Sequence, residues 1–331
     1  MKFPFNVYLA TLLGAFLVSI GALPVWRRIC IRNGLVDDPG HRKIHGIPIP
    51  LAGGLSVLTG ILFPLLFGLA VLHARVISFE DVTSLLSYGF NRRITELIVI
   101  FVGAIGMIVI GWLDDKFELP PLVKFGGQLV IASLVALANV RITLFIHNTV
   151  FSYGITILWI LTMINAFNFM DNMNGLCTGL GAIASGYFGI ISAIEGQYLV
   201  ALLALLSLGA LLGFLPYNFP KASAFLGDAG SHLVGFLLAV MAILPHFYTP
   251  KHPHPWAVLT PLFVLAVPLG DLICVVLIRS SHGQPFYIGD NNHLSHRLVR
   301  KGLSHRNAVL LIWALAALIG AVPVLLLLSS G

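Results

Sequence analysis

Residues 97–115 read Leu-Ile-Val-Ile-Phe-Val-Gly-Ala-Ile-Gly-Met-Ile-Val-Ile-Gly-Trp-Leu-Asp-Asp. An uncharged apolar run of roughly 17 residues or more is long enough to cross the hydrocarbon core of a bilayer as a helix. This run ends on two adjacent carboxylates, Asp114 and Asp115. Ionisable groups at membrane depth are costly, and they usually have a function. The stretch therefore predicts a membrane helix that carries two acidic groups to one membrane face.

Similar apolar runs recur along the whole chain. Hydrophobic residues make up 58% of its 331 residues and charged residues only 10%, a composition outside the range of soluble domains. The predicted spans are about 5–26, 51–74, 94–113, 122–139, 153–170, 176–194, 199–217, 229–246, 256–278 and 307–328. We therefore expect an all-α, polytopic helical membrane protein with about ten transmembrane helices, in which residues 1–331 form a single integral membrane domain.

The distribution of Lys and Arg predicts the orientation of these helices. If the spans alternate, one face holds the connections at about 27–50, 114–121, 171–175, 218–228 and 279–306. These connections carry most of the positive charge, so they are expected in the cytoplasm and both termini outside. The net charge of +6 then lies at one membrane face. It suits anionic lipids and small anionic substrates, and no nucleic-acid-binding module is visible.

Four acidic residues are predicted at this cytoplasmic face: Asp114, Asp115, Asp171 and Asp228. Several carboxylates in one place favour a hard divalent cation, and with it phosphate chemistry. For Asp114 and Asp115 the simpler interpretation is a pair of charges flanking a membrane helix. For Asp228, which opens the span after Gly227, it is an ordinary helix N-cap.

The segment from Asn165 to Gly175 is unusually polar for its apolar surroundings. Asn165, Asn168 and Asp171 are spaced at i, i+3 and i+6, which places them roughly on one helix face, where their side chains can converge. Hydrogen bonding between helices is the alternative explanation for such residues. The number of polar groups favours a functional site.

The connection 279–306 is the richest polar region of the chain. His293 and His296 have the spacing of half a zinc site, but no Cys or Glu lies near to complete one. A loop that binds phosphate or positions a substrate is therefore the favoured interpretation. A solvated basic loop that follows the charge rule is the alternative.

In this order the motifs resemble the polyprenyl-phosphate N-acetylhexosamine-1-phosphate transferase family, glycosyltransferase family 4. The matching segments are Asp37-Asp38-Pro39, Arg42-Lys43-Ile44-His45, Pro48-Ile49-Pro50 with Gly53-Gly54, Asp114-Asp115, Asn168 to Gly175, Gly227-Asp228-Ala229-Gly230-Ser231, and His293-Leu294-Ser295-His296-Arg297-Leu298. The resemblance is closer to the bacterial enzymes that start O-antigen, enterobacterial common antigen or teichoic acid linkage units than to the phospho-MurNAc-pentapeptide translocase.

The resemblance implies a reaction. An N-acetylhexosamine 1-phosphate, GlcNAc 1-phosphate above all, would pass from a UDP-sugar to undecaprenyl phosphate with release of UMP, initiating a cell-envelope glycan. The enzyme would lie in the bacterial inner membrane with its active site on the cytoplasmic face, as a homodimer. A phospho-MurNAc-pentapeptide transferase-like enzyme is one alternative. A transporter of an anionic solute, with a site near mid-membrane, is another.

The resemblance also implies roles for individual residues. The metal would be Mg²⁺, with Mn²⁺ as a second candidate, held by Asp228 and Asp114. The catalytic residues would be Asp114, Asp115, His293 and His296. The substrate-binding residues would be Arg42, Lys43, Asn168, Asp171, Asn174 and Arg297.

At four positions the chain departs from the family pattern. Asn172 replaces a Gly, Asn174 an Asp, Ser295 a His and Leu51 an Arg. The Ser295 hydroxyl keeps one donor but cannot carry charge near neutral pH, so we expect a diphosphate contact there that is weaker or taken over by Arg297 or a nearby residue. The alternative is that the serine makes room for a different sugar substituent. These departures bear on nucleotide and sugar recognition more than on the metal.

Overall fold

The computed structural model describes residues 5–38, 46–74, 89–143, 146, 148–249, 253–285 and 291–329. Its helices are α1 Phe5–Arg32, α2 Gly53–His73, α3 Ile94–Phe117, α4 Pro121–Leu137, α5 Thr149–Met170, α6 Leu176–Ile194, α7 Tyr198–Asn218, α8 Gly227–Met241, α9 Thr260–Val264, α10 Ala266–Ser281, α11 Leu294–Arg300 and α12 His305–Ser329. A 3-10 turn, Pro255–Leu259, precedes α9. Strands β1 Val36–Asp37 and β2 Ile49–Pro50 pair antiparallel.

The all-α polytopic membrane fold is confirmed. Within the described ranges seven helices are long and apolar enough to cross a membrane, and an eighth span is formed by two pieces, Pro255–Val264 and Ala266–Ser281, bent by 70°. Two shorter apolar helices, Pro121–Leu137 and Gly227–Met241, match the remaining predicted spans. The count of about ten is thus approximate, because two of the predicted spans are shorter than a full crossing. The single domain over residues 1–331 stays a prediction.

The helix ends near the acidic residues follow from local sequence. Helix α3 closes on Glu118, whose left-handed backbone (φ +48°) stops the helix. Pro121 then opens α4 at a first-turn position, where its missing N–H costs nothing. Gly175 takes a φ of +76° before α6, a conformation that glycine adopts without strain. These turns keep the connections short, so polar groups of successive helices stay at the same end of the bundle.

Helix α8 lies at the centre of the protein. Every residue from Gly227 to Met241 is buried except Asp228, as expected for a helix that packs on all sides. Its principal neighbours include α2, α3 and α5. The one residue of α8 that is not buried, Asp228, is therefore also the one that carries a carboxylate.

Glycines allow α8 to approach its neighbours at backbone contact. A side chain at Gly111 of α3 would overlap the backbone of Ala229, and one at Gly54 of α2 would overlap Gly230. On α8 itself, Gly235 lies against the backbone of α5 at Ile164. Small residues at helix contacts are the usual means of close packing in membranes. They fix the start of α8, and with it Asp228, against three helices.

Polar contacts at the other end of the bundle join different connections. The His246 backbone N–H donates to Gln197 Oε1 at 2.8 Å, and Gln197 Nε2 donates back to the His246 carbonyl at 2.8 Å. Thr249 donates to Glu195 at 2.9 Å. These residues belong to connections predicted on the outer side, so they lie together as alternation of the spans requires.

Candidate active site at the helix ends

Lys124 of α4 lies at the centre of the acidic cluster. Its Nζ is 2.6 Å from Asp114 Oδ2 of α3 and 2.7 Å from Asp228 Oδ2 of α8. It also donates to Asn168 Oδ1 of α5 at 3.3 Å. Three oxygens from three helices thus surround one ammonium group. Since carboxylates this close repel each other, the lysine charge stabilises their arrangement.

The two adjacent carboxylates have different partners. Asp115 accepts from the backbone N–H groups of Asp228 (2.8 Å) and Ala229 (3.2 Å), so both of its oxygens bind the first turn of α8. Asp114 uses Oδ1 to accept from the Leu119 backbone at 2.9 Å and leaves Oδ2 for Lys124. A carboxylate at a helix N-terminus satisfies free N–H groups and interacts well with the helix dipole. Asp115 therefore anchors α8, while Asp114 faces the open cluster.

Asn168 orients the Asp228 side chain. Its Nδ2 donates to Asp228 Oδ1 at 2.8 Å and to the Ser231 hydroxyl at 3.0 Å. Asn165, one turn earlier, instead donates to Gln128 Oε1 at 2.9 Å, deeper in the bundle. Of the polar set in this segment, Asn168 thus joins the acidic cluster directly and Asn165 supports a neighbouring hydrogen-bond network.

Asp171 follows the last residue of α5 and is close to the other acids. Burial raises the pKa of its carboxyl well above the usual range, and the nearby carboxylates of Asp228 and Asp115 add to the rise, while the Gly227 backbone N–H opposes it. The same physical terms act on any acid held next to other acids in a low-dielectric site. Asp171 is thus electrostatically part of the cluster.

The two histidines lie on and beside α11, and their surroundings differ. His293 is buried, and its Nδ1 contacts Asp271 Oδ2 of α10 at 2.7 Å. His296 is partly exposed; burial and the neighbouring His293 lower the pKa of its imidazole. Arg297 is exposed, so its guanidinium can reach an anion without moving the fold. This region therefore presents one buried imidazole bonded to a carboxylate, one partly exposed imidazole and one exposed guanidinium.

Two contacts join this histidine region to the segment that follows Asn168. The Phe169 and His293 rings meet edge to face with centroids 5.5 Å apart. The Ser295 hydroxyl donates to Asn172 Oδ1 at 2.7 Å. Ser295 is 1% exposed and its hydroxyl is bonded to protein, and the expected weaker diphosphate contact at this position stays a prediction.

The structure thus brings together most residues predicted for the site. Asp114, Asp115, Asn168 and Asp228 form the acidic cluster with Asp171 beside it, and His293, His296 and Arg297 lie on the adjoining short helix. Asn174 instead donates to the Pro220 carbonyl at 3.3 Å, where it links two connections. Arg42 and Lys43 lie outside the described residues. The roles assigned to all of these residues stay predictions.

Sequence reasoning missed two residues of this region. Lys124 lies near the start of the predicted span 122–139 and Asp271 inside the predicted span 256–278, and neither was predicted to belong to the site. Each carried a signal, because an ionisable residue within an apolar run is costly unless it has a partner. The partners themselves come from other helices and cannot be read from spacing.

The fold and site together define a polytopic membrane enzyme with an acidic, oxygen-rich site at one end of a helical bundle. A model of Glycosyl transferase family 4 matches residues 97–246, a range that contains Asp114, Lys124, Asn168 and Asp228. The chain belongs to the polyprenyl-phosphate N-acetylhexosamine-1-phosphate transferases of this family.

Three relatives illustrate the similarity. A Bacillus subtilis (strain 168) protein, described as a probable undecaprenyl-phosphate N-acetylglucosaminyl 1-phosphate transferase, is 32% identical over 311 residues, covering 90% of this chain and 80% of the relative. The undecaprenyl-phosphate alpha-N-acetylglucosaminyl 1-phosphate transferase of Yersinia pestis is 30% identical, covering 94% and 82%. The decaprenyl-phosphate N-acetylglucosaminephosphotransferase of Mycobacterium tuberculosis (strain CDC 1551 / Oshkosh) is 31% identical, covering 92% and 78%.

Proposed function

We propose that this protein transfers N-acetylglucosamine 1-phosphate from UDP-N-acetylglucosamine to undecaprenyl phosphate and releases UMP. The names of the bacterial relatives support the polyprenyl phosphate acceptor and the sugar phosphate. The apolar helices, together with the bacterial source of these relatives, support a place in the bacterial inner membrane. The observation that carries the proposal is the bridging of Asp114 and Asp228 by Lys124. This arrangement places acidic oxygens and a cation together at a helix end. An anionic lipid headgroup and a water-soluble nucleotide can both reach such a position.

The oxygens around Lys124 suit a divalent cation. Within the part of the chain that the structure describes, no group of three His, Cys, Asp or Glu residues is arranged to hold a metal. Asp114, Asp228 and the Asn168 amide nevertheless offer three oxygens around one positive charge, and Mg²⁺ prefers such ligands. These three residues would hold it, with Mn²⁺ as the second candidate. When bound, the metal would neutralise diphosphate charge.

The chemistry is an in-line phosphoryl transfer. An oxygen of the lipid phosphate forms a bond to the β-phosphorus, and the bond from that phosphorus to the oxygen bridging the two phosphates breaks. UMP leaves with the bonding electron pair. Such reactions depend on positioning and charge stabilisation more than on covalent help from protein.

The chain's own residues supply these functions in our proposal. Lys124 donates to phosphate oxygens, and Asp114, whose Oδ2 contacts Lys124, accepts a proton from the lipid phosphate. Asp115 keeps α8 in place through its two backbone contacts. His293 and Arg297 donate to the diphosphate, which offsets the repulsion between the two anionic substrates.

The site is proposed to open to the cytoplasm and sideways to the bilayer. The positive charge of the connections at this end supports the cytoplasmic side. A water-soluble donor and a lipid acceptor both need access to such a site. A homodimer also stays a proposal, resting on the family resemblance.

The alternatives are not favoured. A transporter of an anionic solute would need a site near mid-membrane, whereas the acidic cluster lies at the ends of α3, α4, α5 and α8. The relatives are named for N-acetylglucosamine phosphate transfer rather than for phospho-MurNAc-pentapeptide transfer.

Transfer of label tests the proposal. Purified protein receives UDP-N-acetylglucosamine labelled in the sugar, undecaprenyl phosphate and Mg²⁺, and butanol-extractable label and UMP are measured. Equal amounts of both should appear with wild type. Asp228→Asn should insert normally and transfer almost nothing, whereas Glu118→Gln, an exposed acid near the same helix end, should match wild type. Wild type that is inactive with every UDP-N-acetylhexosamine tested would contradict the proposal.

A further inference from the structure

Asp271 is a buried carboxylate in the second piece of the bent span. It is 4% exposed and lies on the buried stripe of α10 with Val267, Val275 and Arg279. Its Oδ2 contacts His293 Nδ1 at 2.7 Å, and its Oδ1 accepts from the Leu294 backbone N–H at 2.6 Å. Both oxygens therefore bind the start of α11, although 22 residues of sequence separate Asp271 from His293.

This contact determines which ring nitrogen of His293 carries the proton. A carboxylate oxygen only accepts hydrogen bonds, so the Nδ1 that meets it must be the donor. In the neutral imidazole the other nitrogen, Nε2, is then the free acceptor, and in the protonated ring it becomes a donor. Among the described residues no hydrogen bond involves Nε2. It is the nitrogen left for a ligand.

A second contact packs the ring against α5. The His293 and Phe169 rings meet edge to face with centroids 5.5 Å apart. Arg279 is 1% exposed, and its guanidinium lies over the Phe169 ring, 5.0 Å from the ring centroid. The ring is thus packed against the segment that carries Asn168, and its orientation is tied to the acidic cluster.

We propose that Asp271 is a positioning residue: its carboxylate accepts from Nδ1–H and fixes the orientation of the His293 ring, so that Nε2, which takes a proton from solvent when the diphosphate binds, donates to an anionic oxygen of that substrate. This proposal rests on the transferase function proposed above. Partners of this type, which orient a functional histidine through its second nitrogen, typically change activity by roughly 10- to 100-fold when they are replaced.

Substitutions at Asp271 provide the first test. Asp271→Asn keeps the shape, but its amide can donate to Nδ1 and so favours the opposite tautomer, a neutral ring that lacks the carboxylate partner a doubly protonated imidazole needs at Nδ1. We expect kcat to fall roughly 10- to 100-fold, with a smaller change in KM for undecaprenyl phosphate. Asp271→Glu, which keeps the acceptor, should recover part of the loss. Cys274→Ala, at an exposed position on the same helix, should retain wild-type kinetics.

A double-mutant cycle separates positioning from a general structural effect. If Asp271 acts through His293, adding Asp271→Asn to His293→Ala should lower kcat no further, because the histidine being oriented is already absent. Losses that multiply would overturn the proposal. The kcat values are measured only on variants that elute at the wild-type volume in size-exclusion chromatography, which is the criterion for correct folding.

Nitrogen NMR of ¹⁵N-histidine-labelled protein gives a readout independent of turnover. The signal lost in His293→Ala should show a protonated Nδ1 in wild type and a protonated Nε2 in Asp271→Asn. The same tautomer in both proteins would overturn the proposal. If wild type is active and Asp271→Asn has wild-type kinetics, this inference is refuted and the proposed function stands. If wild type itself is inactive, the proposed function is refuted.

Discussion

The Ser295 hydroxyl donates to Asn172 Oδ1 across 2.7 Å. Both residues stand where the resembling family has another side chain, His in one case and Gly in the other. Their contact ties the connection after α5 to α11, so two departures that look independent in sequence form one interaction. A buried hydrogen bond of this kind contributes about 0.5–1.5 kcal/mol when both partners are present.

We expect the two positions to be coupled in activity. Ser295→His alone places a larger ring in a site that is 1% exposed and removes the bond to Asn172, so kcat/KM for the UDP-sugar should fall about tenfold or more. Ser295→His combined with Asn172→Gly removes the obstructing amide and should regain much of that loss. Steady-state kinetics of the two single variants and the double variant measure the coupling. Strictly multiplicative effects would show that the residues act separately.

Lys124→Met should reduce transfer at least about tenfold, since hydrogen bonds to charged groups are each worth about 1.5–3 kcal/mol. It also leaves Asp114 and Asp228 without their shared ammonium. Added Mg²⁺ should therefore raise the melting temperature of this variant more than that of wild type, because binding to the folded state stabilises it. Differential scanning fluorimetry over a MgCl₂ series measures this. Lys116→Met is the matched control, because the Lys116 ammonium lies over the Trp112 and Phe117 rings and not in the acidic cluster. An equal rise in melting temperature in all three proteins would argue against a cation site here.

Asp115→Asn and Asp114→Asn should fail in different ways. An asparagine at 115 keeps one acceptor oxygen for two backbone N–H groups of α8, and leaving one unsatisfied costs about 1–3 kcal/mol. Asp114→Asn changes the charge that faces Lys124 and should lose activity with a smaller drop in melting temperature. Thermal unfolding and single-turnover assays on the same preparations compare the two. Equal losses of stability would contradict the division of roles.

Gly54→Ala should destabilise the protein by about 1–3 kcal/mol, the usual cost of overpacking. An added Cβ would lie 2.8 Å from Gly230 Cα at the start of α8, so the helix that carries Asp228 must shift. Gly68→Ala on the same helix meets no atom within 4 Å and should be neutral or slightly stabilising, since Ala favours helix over Gly by up to about 1 kcal/mol. Unfolding in detergent gives the difference. Loss of transfer should follow Gly54→Ala only.

The predicted orientation can be checked by labelling. In a cysteine-free background, Ser304→Cys, at an exposed position beside α12, should resist an impermeant thiol reagent in intact cells and react after lysis. Asn91→Cys, exposed on the predicted outer side, should react in intact cells. Ready labelling of position 304 from outside would reverse the topology, and with it the cytoplasmic site.

The fold was predictable because hydropathy alone identifies segments that must be helical in a bilayer. The ends were less accurate. Helix α1 continues to Arg32 and α3 to Phe117, beyond the predicted ends at 26 and 113. Charged side chains stop a hydropathy signal, yet they do not stop a helix that emerges into the polar interface.

The site was predictable in its acids, in Asn168 and in the polar connection that carries His293, His296 and Arg297. Asp114, Asn168 and Asp228 carry recognisable sequence patterns, and the structure brings them around one point. The bonds of Lys124 and Asp271 depend on which helices adjoin, a property that no spacing within one segment encodes. The bond between Asn172 and Ser295 was hidden for the same reason, because each residue looked like a separate change in a substrate loop.

The close glycine contacts around α8 divide the protein into a fixed part and a variable part. Gly54, Gly111 and Gly235 leave no room for larger side chains. The helix contacts that position Asp228 therefore tolerate few substitutions. The connection 171–175 is less restricted, since Asn172 and Asn174 are both partly exposed. Substitutions can therefore be accepted at a few positions of this connection while the placement of Asp228 is kept.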